Sequence, residues 1–135
     1  MRVFSFAQES QRYCNYSKDK YNNQITFIKP SFIDIEEGNY NLEDIYTDNN
    51  SSQADILLMS LLSGEREYLN LIDAGYKPQQ ARYILPNATK TEIVVTGFVS
   101  DWKHFFELRT SERAHPDMRK LALDLEDQFK NLNLI

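Results

Sequence analysis

Between Ser52 and Gly75 the apolar residues Leu58, Leu61, Leu62, Tyr68, Leu69 and Ile72 return at three- and four-residue steps, which predicts an amphipathic helix. Gly75 stands where a left-handed cap closes such a helix. Pro78 suits a first helical turn, Gln79 to Leu85 predicts a short helix with Arg82 in its middle, and Pro86 stops it through the restriction it places on Leu85. Elsewhere the pattern favours strands. Met1 to Phe6 is β-prone and runs into the polar segment Gln8 to Ser10, Gln24 to Lys29 is a second strand candidate ended by Pro30, and Glu92 to Phe98 is dominated by Ile93, Val94, Val95 and Thr96. Gly97 in the last of these marks a bulge or a close backbone approach. Ser100 or Asp101 is then expected to cap a helix from Asp101 to about Arg109, with Trp102, Phe105, Phe106 and Leu108 on packing surfaces. A last helix starts near Pro116 with Met118, Leu121, Ala122, Leu125 and Phe129 as its apolar stripe. The tract Ser31 to Ser52, acidic and rich in Asn, Asp and Ser, reads as loop with a short helical turn around Leu42 to Tyr46. No internal repeat is visible, and the expectation is one domain over residues 1–135.

Composition narrows the function classes. The chain has 135 residues, 41% hydrophobic and 13% aromatic, which predicts a compact soluble unit with a core. Its 20 acidic and 15 basic residues give a net charge of −5, which argues against broad binding to nucleic acid or to an anionic membrane and makes any anion site a local one. Cys14 is the sole cysteine, so an intrachain disulfide is excluded, a zinc site built on it alone is not expected, and a small half-buried apolar role is. No apolar run is long enough to span a bilayer and no signal-peptide pattern opens the chain, so the expectation is a cytoplasmic protein without a membrane partner.

One cluster points to chemistry. Ser5, Ser10, Arg12, Tyr13, Asn15, Tyr16 and Ser17 crowd around one arginine near the start of the chain. A guanidinium is a planar fork of donors matched to phosphate or carboxylate oxygens, and Ser10 with nearby backbone N–H groups can add shorter charge-assisted bonds to the same oxygens. The plain alternative is a solvated loop arginine among capping serines. Arg82 has a similar alternative as partner of Asp73, and Arg109 as a cation at a helix C-terminus. His104 reads equally as a partly buried histidine on an amphipathic helix, Trp102, Phe105 and Phe106 as core, and His115 as an exposed helix-start residue.

Three pieces occur in a recognisable order: Arg2, Ser5, Ser10, Arg12 and Tyr13 as Arg-x-x-Ser-x-x-x-x-Ser-x-Arg-Tyr; Ala81, Arg82, Leu85 and Pro86 as Ala-Arg-x-x-Leu-Pro; then Thr96 and Gly97 leading to Leu108 and Arg109. Their order and spacing resemble the flavin-dependent thymidylate synthases, also called thymidylate synthase complementing proteins. The likeness runs over nearly the whole chain and over the C-terminal part of the family's length. The family signature opens Arg-His-Arg; Arg2 matches its second arginine, Met1 stands at the histidine, and the first arginine has no counterpart. Ala7 stands where the family has Asn, and Gln8 where it often has Glu.

The resemblance implies an α+β fold with an antiparallel sheet and packed helices, and a homotetramer whose sites are shared between subunits. It implies reductive methylation of dUMP to dTMP, with methylenetetrahydrofolate as carbon donor, reduced FAD as hydride source and NADPH as reductant. By the same resemblance, Gln8, Ser10, Gln11, Arg12, Arg82 and Arg109 contact dUMP, and Arg2, Val3, His104 and Leu108 contact FAD. Arg109 is the implied catalytic residue: a fixed cation at the uracil ring favours the enolate-like charge that builds there during attack through carbon 5. No metal is implied. The second reading is a truncated, non-catalytic nucleotide-binding or scaffold protein of the same fold.

Overall fold

The computed structural model describes residues 3–135; Arg2, one of the expected flavin contacts, lies outside the described residues. In chain order the elements are strand β1 (Phe4–Gln8), helix α1 (Gln53–Asp73), helix α2 (Pro78–Ala81), strand β2 (Ile93–Gly97), helix α3 (Val99–Arg109) and helix α4 (Pro116–Asn131). Short 3-10 turns occur at Asp19–Tyr21, Leu42–Asp44 and Arg82–Ile84. The chain divides into two compact units, one comprising the segment up to Gln8 together with Ile93–Ile135, the other Glu9–Glu92.

In the first unit β1 and β2 pair antiparallel, with Phe4 opposite Gly97, Phe6 opposite Val95 and Gln8 opposite Ile93. The aromatic side chains of the strand and the two helices form one cluster. Phe4 meets Trp102 edge-on at 5.0 Å between ring centroids, Trp102 lies 5.4 Å from Phe129, and Phe106 lies 5.2 Å from Phe129. Edge-to-face packing of this kind suits the ring quadrupoles. Phe106 and Ala122 are buried, so the core reading of the α3 aromatics holds. The α4 stripe is only partly covered: Leu121 stays 62% exposed. Helix α3 begins at Val99, two residues before the expected start, because extended Phe98 (φ −72°, ψ 153°) is its N-cap. Neither Ser100 nor Asp101 caps it, since both already lie inside the helix. His115 caps α4, its Nδ1 accepting from the Asp117 N–H at 3.3 Å.

The second unit is organised by α1. Ser52 Oγ accepts from the Asp55 N–H at 3.1 Å, satisfying one of the orphan donors of the first turn. At the other end Gly75 takes φ +92°, and the Tyr76 N–H reaches back to the Leu71 carbonyl at 3.0 Å. Tyr16, Ile25, Tyr68 and Ala81 form the buried cluster, with Phe27, Leu69, Leu71, Ile72 and Leu85 packed on it. The strand expected over Gln24 to Lys29 is not formed. That segment makes a single antiparallel bridge, Phe27 to Thr89, flanked by bonds from the Ile28 N–H to the Ala88 carbonyl and from the Lys90 N–H to the Thr26 carbonyl. The reason is a distant partner: the Ile25 N–H is spent on Glu65 Oε2, 40 positions away on α1, at 2.7 Å rather than on a neighbouring strand. The helix expected over Gln79 to Leu85 is α2 followed by a 3-10 turn, with Leu85 extended (ψ 131°) as Pro86 requires.

Candidate functional site

Of the serine and arginine cluster, Ser10 to Cys14 folds as a tight turn in the second unit, whereas Ser5 does not join it: it lies on β1 of the first unit, opposite Thr96. The N–H groups of Tyr13 and Cys14 both donate to the Ser10 carbonyl, at 3.0 and 2.9 Å, and the Arg12 N–H donates to Ser10 Oγ at 3.3 Å. These bonds use backbone donors that the sequence offered to an anion. The half-buried Ser10 hydroxyl still has a donor to give, and the Arg12 guanidinium is exposed.

Arg12 is held on two sides. Its Nε donates to Gln79 Oε1 on α2 at 3.1 Å, and its guanidinium carbon lies 5.1 Å from the centre of the Tyr13 ring. Neither contact neutralises it, and among the described residues no ion pair joins Arg12, Arg82 or Arg109 to a carboxylate. Arg82 opens the 3-10 turn that follows α2, three residues beyond Gln79, and is exposed; the pairing with Asp73 is not formed.

The turn rests on three tyrosines. Buried Tyr68 donates its hydroxyl to the Cys14 carbonyl at 3.4 Å, Tyr16 packs against both Tyr68 and Tyr21 at 5.4 and 4.8 Å, and Tyr21 donates to Glu9 Oε1 at 3.2 Å. Lys20 bonds the same Glu9 carboxylate. Burial pushes the Tyr16 phenol up to about 12, with the neighbouring Cys14, Tyr68 and Glu9 adding to it. Burial likewise raises Tyr68 and Tyr21, with Cys14 and Glu9 contributing at Tyr21. All three therefore stay protonated near neutral pH and serve as donors and packing, not as proton acceptors. Cys14 is half-buried, as expected.

Gln11 is half-buried inside the turn of the second unit, and the remaining expected residues belong to the first unit, where Gln8 ends β1, exposed. Arg109 is the last residue of α3 and exposed, but it does not bond the helix end: Arg119 Nε donates to the Thr110 carbonyl at 2.9 Å, and Thr110 Oγ1 donates to the Phe106 carbonyl at 2.7 Å. His104 is exposed rather than partly buried, with Nδ1 3.5 Å from Glu107 Oε2. Val3 and Leu108 are each 53% exposed.

Sequence reasoning missed a separate groove of about 350 Å³ in the second unit, lined by the segment from Gln24 to Pro30, by Ile35 to Tyr40, and by Leu57, Leu58, Leu61, Leu62 and Glu65 of α1. Its readable signal was Glu65, an acid placed on the apolar face of α1. None of the expected site residues lines it.

The family model described as thymidylate synthase complementing protein matches residues 1–132. The chain belongs to that family. Flavin-dependent thymidylate synthase from Mycobacterium sp. (strain KMS) is 36% identical over 130 residues, which cover 90% of this chain and 48% of that protein. The enzyme of the same name from Pyrococcus furiosus is 33% identical over 128 residues, covering 95% of this chain and 46% of the relative. The chain thus spans about half the length of the curated relatives it matches. Among solved structures, thymidylate synthase X from Helicobacter pylori with FAD and dUMP superposes with a TM-score of 0.62 at 23% identity, covering 93% of this chain and 56% of that one. The α+β architecture with its antiparallel strand pair is the family's fold.

Proposed function

We propose that this chain carries the dUMP-binding half of a flavin-dependent thymidylate synthase. The observation that carries the reading is the presentation of Arg12: a fixed, exposed and unneutralised guanidinium beside the Ser10 hydroxyl, on a turn anchored from below by Tyr68. Such a fork suits a phosphate dianion. Arg82, following α2 directly, supplies a second free cation in the same unit, and Gln8 and Gln11 are the further nucleotide contacts. Arg109 acts on the uracil ring as a cation, lowering the energy of the charge that develops on a carbonyl oxygen when carbon 5 attacks the one-carbon unit.

The fit to FAD is partial. Val3, His104 and Leu108 offer two exposed apolar surfaces and one imidazole, suited to the edge of a flavin ring, while none of these three brings a cation for the pyrophosphate. Bound FAD would supply the hydride, NADPH the reducing equivalents and methylenetetrahydrofolate the carbon. A homo-oligomer, a tetramer in the family's pattern, is supported by the exposed Phe6, Val94, Phe98 and Leu121, since apolar surface of this kind marks interaction faces. A cytoplasmic setting accords with the absence, among the described residues, of a helix long and apolar enough to cross a membrane.

Thermal denaturation with dUMP tests the substrate reading: at one hundred times its dissociation constant the nucleotide adds about 2.7 kcal/mol to stability. No shift at saturating dUMP removes that reading. Visible flavin absorption together with tritium release from labelled dUMP separates the enzyme from a non-catalytic nucleotide-binding scaffold, which would show the dUMP shift alone.

A further inference from the structure

The polar contact that fixes Arg12 comes from across the second unit. Gln79 sits in the first turn of α2, half-buried, with its carbonyl oxygen Oε1 3.1 Å from Arg12 Nε. A guanidinium has five N–H donors in a rigid fork. The Nε hydrogen is the one that points away from the pair of terminal nitrogens' outer edge, so an acceptor there sets the plane of the fork while the Nη donors stay available. An amide does this without charge. The Tyr13 ring, 5.1 Å from the guanidinium carbon, gives the fork a second support, again without a counter-ion.

From this geometry we infer that Gln79 is a positioning residue for the anion site: its side-chain carbonyl holds the Arg12 guanidinium in the orientation that receives the nucleotide's phosphate, and leaves the cation uncompensated. The inference rests on the dUMP reading above for the identity of the ligand, but the orientation of Arg12 can be followed without any ligand. The neighbouring Gln80 has a different task, accepting from the Lys77 N–H at 3.0 Å to close the helix start, so the two adjacent glutamines divide structure and positioning between them.

The test compares the intact chain with Gln79→Met, which keeps the length of the side chain and removes the acceptor, and Gln79→Glu, which keeps the acceptor for the Arg12 Nε–H but adds the counter-ion that the amide avoids, so that dUMP affinity is expected to fall there as well. Binding of dUMP and of deoxyuridine is measured for each, and the Arg12 Nε–H resonance, assigned with Arg12→Ala, is followed by NMR. The expected result is a loss of about tenfold or more in dUMP affinity in Gln79→Met, the scale of a hydrogen bond to a charged group. Deoxyuridine affinity stays unchanged, and the slowly exchanging Arg12 Nε–H signal is lost in Gln79→Met and kept in Gln79→Glu. Equal dUMP affinity in Gln79→Met and the parent overturns the inference, as does a parallel fall for dUMP and deoxyuridine, which marks a structural role. A parent that ignores dUMP removes the substrate reading. Inorganic phosphate then decides the positioning role: it stands if phosphate shifts the Arg12 Nε–H signal in the parent and not in Gln79→Met, and falls otherwise.

Discussion

Gly97 lies so close to Phe4 across the β1–β2 ladder that a Cβ placed on it would sit 2.4 Å from the Phe4 ring. The ring is not free to retreat, because it also meets Trp102 edge-on at 5.0 Å within the aromatic cluster. Gly97→Ala therefore forces either the ring or the strand to move. The expected cost is about 1–3 kcal/mol, the usual range for overpacking, read as a fall in the urea midpoint. An unchanged midpoint would show that the ladder yields at no cost.

The close approach at Gly97 was legible in the sequence as a glycine inside an otherwise β-branched run. So were α1 with its Gly75 end, the turn near Leu42, and the start of α4 at Pro116, each signalled by residues adjacent in the chain. The features that escaped are those decided by distant partners. Ile25 to Lys29 alternates like a strand, yet a single carboxylate from α1 takes the Ile25 N–H and leaves one bridge. In the candidate site, Ser10 and Arg12 were visible as a motif, whereas Gln79 sits 67 positions away from Arg12 and no local pattern links them.

Glu65 gives a test of that distant control. Its carboxylate accepts from the N–H of Ile25, a residue 4% exposed, so Glu65→Leu leaves a buried donor without its partner. The expected loss is about 1–3 kcal/mol. Amide hydrogen exchange at Ile25 should accelerate by more than the global loss of stability accounts for; a parallel change at all core amides would mean the bond is not what holds this segment.

The tyrosine base under the turn predicts an alkaline limit. The Tyr16 phenol is raised from 10.0 to about 12 by burial first, so the unfolded chain ionises before the folded one. Stability from this group is present in full below pH 10, the unfolded value, and is lost as pH rises toward about 12. Tyr68 and Tyr21 are raised too and act in the same direction. Circular dichroism and tyrosinate absorbance followed together should show ionisation coinciding with unfolding, and Tyr16→Phe should flatten the slope of stability against pH in that window. A Tyr16 that ionises in the still-folded protein at its ordinary value would contradict the burial argument.

Arg109 and Arg119 separate structure from function at the end of α3. Arg119 Nε donates to the Thr110 carbonyl at the helix end, 2.9 Å away, and so satisfies one of the orphan acceptors there. Arg109, exposed in the last turn, makes no such bond and leaves its fork open. Arg119→Ala should cost about 1 kcal/mol of stability from the lost hydrogen bond. Arg109→Ala should stay within about 0.5 kcal/mol, as surface changes usually do. In the nucleotide assays the order reverses. Arg109→Ala should abolish tritium release from labelled dUMP in flavin-loaded protein, while Arg119→Ala, compared well below its own melting temperature, should retain it. If Arg109→Ala proves the more destabilising of the two, the helix-end role belongs to Arg109 and its assignment to the uracil ring loses its support.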